Sequence, residues 1–318
     1  MTTATASPVA VAAPACAGAF SIDLEDFSQL TCRDATGITP DCSPDIDRQV
    51  DAILSILSEH GVRGTFFSLG MLGSRRPDII RRIQRCGHEM ASHGTAHVAA
   101  SRQSRAEFKA DVEDSLKLLA DITGERVLGY RAPAFSIGRA NLWALDVLAE
   151  LGLMYDSSVF PMRMRRYGID GFDPSPRHYS LPEGGRLVEI PLLPWRRGSR
   201  NVPVAGGGYL RLMPRRTLRS AVESFGRAGQ CYTLYLHPYE FDPRPLDVAR
   251  SFPSDRPMPA LKRGLLNAKW NLRRSTIVDK VRRLCRNVRF GTYADLAQRI
   301  QGMPAAKLGV AWPSEARP

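Results

Sequence analysis

Beyond residue 19 the chain alternates short unbroken apolar runs with longer stretches in which apolar residues return every three or four positions. An unbroken apolar run predicts a strand buried on both faces of a parallel sheet, and the three-to-four return predicts an amphipathic helix. "AFSIDL" is the first such strand. "DIDRQVDAILSILSEHG" is the first helix, with Ile46, Val50, Ile53 and Leu57 on one face and Gly61 as its stop. The pairing recurs as "GTFFSL" with "RPDIIRRIQRCGH", "EMASH" with "RAEFKADVEDSLKLLADITG", and "VLGY" with "ANLWALDVLAELG". Later come "LVEIP", the helix "PRRTLRSAVESFGRAG", the strand "CYTLYLH", and "VRFGT" leading into "YADLAQRI".

Such alternation predicts an α/β fold with parallel strands and helical crossovers, either a closed barrel or a doubly wound sheet. Site placement favours the barrel. Asp23, His93, Arg131 and His237 each fall at or just past the C-terminal end of a different predicted strand, the rim where a parallel barrel gathers its loops. Two segments interrupt the pattern. Residues 160–186, rich in Arg, Pro and Gly, read as a long loop beside the site. Residues 242–289 open on prolines and read as a basic helical excursion, with ten Lys or Arg against one Asp between 261 and 290. The expected organisation is a disordered leader over 1–18, one barrel over 19–302 and a flexible tail over 303–318.

The formal net charge of +12 predicts anionic partners. No nucleic-acid recognition motif accompanies it, so nucleic acid is not expected. The six cysteines show no CxxC and no repeated spacing, which argues against a zinc finger or a disulfide framework. Free thiols are expected, Cys32 and Cys42 being a candidate pair in a predicted loop. The first residues lack a basic segment and a leucine-rich core and make a poor signal peptide. No run of about 18 apolar residues is present, so no membrane span is expected. These features predict a soluble, cytoplasmic protein.

"SIDLEDF" crowds Asp23, Glu25 and Asp26 at the end of a buried strand, where like charges repel and lose hydration. "GHEMASHGTAH" holds His93 and His97 four apart, a spacing that on a helical turn would set both imidazoles on one face. Two imidazoles and one carboxylate make a zinc-type ligand set with an open position, and a divalent cation would offset the acidic crowding. Alternation along a strand puts Glu25 on the face of Asp23 and makes it the ligand. A turn beginning after Leu24 would instead bring Asp26 inward, so both remain candidates. His88, after Gly87, reads as structural. Arg131 could hold the base carboxylate, with Pro133 fixing the backbone behind it. His237, ended by Pro238, suits general-acid work because imidazole titrates near neutrality. Gly206 to Gly208 lack the phosphate-loop ending and instead allow a close approach of backbone to ligand.

In "SIDLEDF", "GTFFSLG", "GHEMASHGTAH", "YRAPAFSI", "YDSSVFP", "VAGGGYLRLMP" and "LYLHPYEFDP" the chain resembles the polysaccharide deacetylase family of carbohydrate esterases, and within it the branch associated with exosortase and exopolysaccharide loci. The resemblance runs from about Phe20 to Ile300. It implies a distorted (β/α)7 barrel and metal-dependent deacetylation of N-acetylated sugars in a polysaccharide or lipid-linked glycan precursor, with zinc as the expected metal. It implies Asp23 as general base, Arg131 as the residue orienting it, His93 and His97 as metal ligands beside Glu25 or Asp26, and His237 as general acid. Pro133, Gly207 and Tyr209 are expected to meet the substrate. The first motif departs from the family's adjacent aspartates, since Leu24 intervenes, and no Asp-x-x-Asp-Trp motif is evident. A cyclic amide or allantoin-type hydrolase and a non-catalytic glycan-binding barrel are the competing readings. The basic stretch adds an expected peripheral contact with an anionic membrane, on its inner face.

Overall fold

The computed structural model describes residues 16–37, 40–164, 167–198, 200–247, 251–252 and 259–307. The strands are β1 (Cys16–Leu24), β2 (Thr65–Ser68), β3 (Glu89–Ser92), β4 (Gly129–Tyr130), β5 (Tyr155–Asp156), β6 (Arg177–Ser180), β7 (Arg186–Glu189), β8 (Trp195–Arg197), β9 (Arg200–Val202), β10 (Tyr232–Leu236), β11 (Val288–Gly291) and β12 (Ala306–Lys307). The helices are α1 (Phe27–Thr36), α2 (Asp45–Glu59), α3 (Gly70–Arg75), α4 (Pro77–Arg85), α5 (Arg105–Thr123), α6 (Trp143–Glu150), α7 (Gly207–Leu210), α8 (Arg215–Arg227), α9 (Ala260–Asn271), α10 (Ile277–Asn287) and α11 (Tyr293–Gln301).

One sheet of ten strands runs in the order β10-β1-β2-β3-β4-β5-β7-β6-β12, with β11 also pairing β1. Its pairings are parallel except β6 with β7. Among the described residues the hydrogen-bonded path does not return from β12 to β10, so the sheet curls as an incomplete barrel, in keeping with the distorted (β/α)7 expectation. β8 and β9 form a separate hairpin.

The helices that the periodicity predicts form, and α1 and α3 form where no helix was expected. α2 buries Ile46, Val50, Ile53 and Leu57, which pack with Phe20, Ile22 and Phe66 in the main core. Each such side chain taken fully from water contributes about 1.5–3 kcal/mol. α5 starts at a capping box, Ser104 with Glu107, and stops where Gly124 takes the left-handed conformation.

Several boundaries shift. Cys16 to Gly18, assigned to the leader, belong to β1, because their backbone pairs with Val288 to Phe290 of β11. Ala306 and Lys307, assigned to the tail, pair with β6. The remainder of both termini, residues 1–15 and 308–318, lies outside the described residues. The long loop of 160–186 contains β6, whose buried His178 and Tyr179 are offset by exposed Arg177 and Ser180. Cys32 lies in α1 rather than a loop, and Cys32 and Cys42 are both free. The basic excursion folds back on the sheet through Arg274, which is buried and donates to the carbonyl oxygens of Tyr239, Asp242 and Arg244.

Candidate active site

β1 ends at Leu24 and α1 begins only three residues later, so the first turn of the helix needs an acceptor for its unpaired N–H groups. Asp26 supplies it. Its carboxylate accepts from the N–H of Gln29 at 2.8 Å and from that of Ser43 at 3.0 Å. Burial pushes its carboxyl up despite these bonds. Glu25 is left facing the cleft. The turn after Leu24 therefore forms, but it turns Asp26 to the helix end.

The cleft, about 790 Å³, is lined by Asp23, Glu25, His93, His97 and His237 among others. β3 delivers His93 just past its end, where Nδ1 lies 2.7 Å from the carbonyl oxygen of Arg131. That contact makes Nδ1 the protonated nitrogen and leaves Nε2 as the lone-pair donor. Nε2 of His93 lies 2.8 Å from Glu25 Oε1, and Nε2 of His97 lies 3.1 Å from the same oxygen. The two histidines are not on a helical turn. Residues 93–97 form a loop in which Gly94 (φ 76) and His97 (φ 54) are both left-handed. A Cβ on Gly94 would lie 2.7 Å from Asp111 Oδ2, and Asp111 of α5 holds the loop by accepting from Thr95 N–H. Arg33 of α1 fixes the far end by donating to the His97 carbonyl at 2.9 Å.

Burial raises the Glu25 carboxyl, but the imidazoles of His97, His93 and His237 outweigh it and hold it well below the usual carboxylate range. Glu25, His93 and His97 bring their ligand atoms within 4.8 Å of one another. Three convergent donors of this kind, one carboxylate and two imidazoles, fit a divalent cation with a position left open. Asp26 is not part of this cluster.

Asp23 takes a different partner. Arg131, with no exposed surface, donates Nη1–H to Asp23 Oδ1 at 2.6 Å and to Ser21 Oγ at 2.8 Å, while Nε and Nη2 donate to the carbonyl and hydroxyl of Ser157. The guanidinium carbon also lies 4.0 Å from the centre of the Phe67 ring. The buried charge is thereby hydrogen-bonded on three sides, the condition under which a buried pair is tolerated.

His237 follows β10 and lies 3.9 Å from Glu25 Oε2 through Nε2. Its Nδ1 lies 3.4 Å from Glu240 Oε2, and its N–H donates to the same oxygen at 3.0 Å. Burial lowers the His237 imidazole, but the bond to Glu240 and the charges of Glu25, Glu240 and Asp23 raise it to about 9. Glu240 was missed in the sequence, although its place three residues past His237 is the capping-box spacing.

The expected substrate contacts are placed differently. Ala134 and Phe135, both with left-handed backbone, line the cleft where Pro133 was expected. Gly207 lies behind Glu240: a Cβ there would be 1.9 Å from Glu240 Oε2, so the glycine makes room for that carboxylate. Tyr209 meets the cleft through Tyr167, whose hydroxyl is 2.9 Å from its own. Lys262, Leu266 and Trp270 of α9 complete the wall, so the basic excursion is part of the site.

Residues 30–155 match the family model "Polysaccharide deacetylase", and residues 157–298 match a domain of unknown function, DUF3473. A chitooligosaccharide deacetylase of Bradyrhizobium sp. (strain ANU 289) is 28% identical over 134 residues, 42% of this chain and 58% of the relative. A second, from Sinorhizobium fredii, is 33% identical over 123 residues, 37% of this chain and 54% of that protein. Family model and relatives support the polysaccharide deacetylase family. The chain spans a little over half the length of these deacetylases. A Mycobacterium smegmatis structure described as a polysaccharide deacetylase superposes with a TM-score of 0.63 at 20% identity, over 98% of this chain and 99% of that one, which shows a shared fold. The family match begins after Asp23 and Glu25 and ends before His237, so the cleft draws on β1, on the matched polysaccharide deacetylase segment and on the DUF3473 segment.

Proposed function

We propose that the protein is a metal-dependent N-deacetylase of a glycan, acting on an N-acetylated sugar in a polysaccharide or lipid-linked precursor. The observation that carries this is the convergence, in one cleft, of the Glu25–His93–His97 donor set with an Arg131-paired carboxylate, Asp23, and a Glu240-backed imidazole, His237. A cation at the donor set, zinc by its nitrogen and oxygen ligands, would supply Lewis-acid polarisation of the acetyl carbonyl and of water. Asp23, aimed by Arg131, accepts the proton of the attacking water. His237, protonated at neutral pH, donates to the sugar nitrogen as the C–N bond breaks, which an amine leaving group requires. Glu240 holds the imidazole in orientation.

The cleft wall carries seven aromatic residues, among them Phe27, Tyr239 and Trp270, which suits the apolar C–H faces of sugar rings. An elongated glycan fits this wall and volume better than a small cyclic amide, which calls for a small closed pocket. The reading places the protein in exopolysaccharide biosynthesis, in the branch tied to exosortase loci, as a cytoplasmic enzyme peripheral to the inner membrane face. Among the described residues no helix is long and apolar enough to cross a membrane. The test is acetate release from N-acetylglucosamine oligomers and from a lipid-linked N-acetylated precursor, after metal stripping and after adding back divalent metal. Metal-restored release supports the reading. Bound glycan with no acetate under any metal would leave a non-catalytic binding barrel, and release from allantoin alone would replace the substrate class.

A further inference from the structure

Helix α9 turns one face to the catalytic cleft and the opposite face to water. Lys262, Leu266 and Trp270 line the cleft. On the outer face Leu261 is 79% exposed and Leu265 65%, and Leu272, just past the helix end, is 54% exposed. With exposed Ala268 these positions recur at helical spacing along a single stripe. A helix that merely covered the barrel would turn such a stripe inward, yet no residue of α9 is fully buried. Leu212, 49% exposed, adds to the apolar surface from the neighbouring turn, which Arg211 ties to α9 by donating to the Trp270 carbonyl at 2.8 Å.

The charges carried by α9 itself all have one sign, and Asp247, which accepts from Asn267 at 3.1 Å, is the acid that meets it among the described residues. Lys262, Arg263, Lys269 and Arg273 are exposed, and no acidic residue occurs from 260 to 278. Exposed leucines flanked by cations on one helix are the arrangement that lies in a membrane interface, with apolar side chains at the acyl boundary and cations at the headgroups. We propose that α9 docks on an anionic phospholipid bilayer through Leu261, Leu265 and Leu272, with Arg263, Lys269 and Arg273 on the headgroups, and so sets one wall of the catalytic cleft at the lipid surface. This deepens the membrane contact proposed above by naming its element, and its binding readout is independent of deacetylation. Charge complementarity favours the bilayer over a second copy of this chain, which carries the same +12 formal charge.

The experiment is co-sedimentation of the full chain with vesicles of phosphatidylcholine mixed with phosphatidylglycerol and with vesicles of phosphatidylcholine alone. Binding to the anionic vesicles is expected, weakening with salt. The uncharged Leu261→Ser/Leu265→Ser variant should bind at least about 10-fold more weakly, since each buried CH₂ contributes about 0.8 kcal/mol. Lys269→Gln should lose about fivefold, on the order of one near-surface cation. Arg215→Gln/Arg219→Gln on the exposed face of α8 is the control for general basicity and should bind nearly as the wild type does. The substituted leucines are exposed, so folding is retained, as the unfolding midpoint would verify. Three results would each overturn the proposal. One is absence of binding. Another is binding that the serine variant keeps in full, which would reduce it to diffuse charge. The third is a concentration-dependent mass in light scattering that the serine variant abolishes, which would assign the stripe to a dimer.

Discussion

Replacing Glu240 with Gln separates the charge behind His237 from the space it fills. The glutamine oxygen can still accept from the His237 N–H, now made at 3.0 Å, but the negative charge beside Nδ1 is lost. His237 stands at about 9 because that bond and the nearby carboxylates outweigh burial. A hydrogen bond to a charged group is worth about 1.5–3 kcal/mol. At 3.4 Å the lower end applies, which is about one pKa unit. The sign follows from the role of a general acid. His237 must be protonated, so activity holds up to the imidazole's titration and falls as pH rises through it. Glu240→Gln should move that alkaline fall down by about one pH unit and lower kcat/KM about 10-fold on the alkaline side, with little change well below it. A cation held at Glu25 displaces both curves downward together, so the difference between them survives. The assay is kcat/KM for acetate release against pH for the two proteins at one metal concentration. Coincident alkaline limbs would show that Glu240 only caps the turn, and an upward shift would refute the reasoning outright.

Asp23→Asn and His237→Ala should each lower turnover at least about 10²-fold, the scale for loss of a base or acid, with the unfolding transition still cooperative. Full turnover in the His237 variant would assign the acid elsewhere. Glu25→Gln should lose metal on dialysis, whereas Asp26→Ala should keep it and instead cost about 0.5–2 kcal/mol in urea unfolding as a lost helix cap; the opposite pattern of metal contents would exchange their roles. Burial, helped by Arg63, lowers the His88 imidazole to about 4, while its Nδ1 accepts from Gly64 N–H. A folded-state value below the unfolded ~6.5 leaves stability complete above that pH and removes it as pH falls toward 4, about 2 kcal/mol by about pH 5. Denaturant titrations of His88→Gln at neutral pH and at about pH 5 should show a shallower loss than the wild type.

Periodicity located α2, α4, α5, α6, α8 and α11 because each buries one stripe: in α2, Ile46, Val50, Ile53 and Leu57 enter the core as their spacing requires. It located β1 and β10 for the complementary reason, since strands buried on both faces are mainly apolar, with only Ser21, Asp23 and Thr233 as buried polar positions. It could not find β6, whose middle pair is buried between exposed ends, because four residues next to Pro and Arg give no run to read. The short β4 and β5 are defined by their neighbours' hydrogen bonds more than by their own composition. At the site, residue types were legible and backbone was not. The histidine spacing fits a helical turn as well as a loop, and what selects the loop is Asp111, fourteen residues past His97, together with Arg33 from another helix. Contacts of that range leave no local pattern.

The three carboxylates of "SIDLEDF" become compatible by going to three different places. Asp23 is neutralised by a guanidinium that no water reaches. Glu25 turns into the cleft, where two imidazole nitrogens converge with one of its oxygens as a donor set. Asp26 leaves the group by ending the strand early and binding the first turn of α1. The order matters, because a carboxylate without its own partner would raise its neighbours' affinity for protons and neutralise the base. Leu24, fully buried between Asp23 and Glu25, keeps the two acids on the same side of the chain with separate partners. The inserted leucine thus separates the carboxylate that takes a proton from the one that would hold a cation. Adjacent acids would have to make that division by a sharper turn of the backbone.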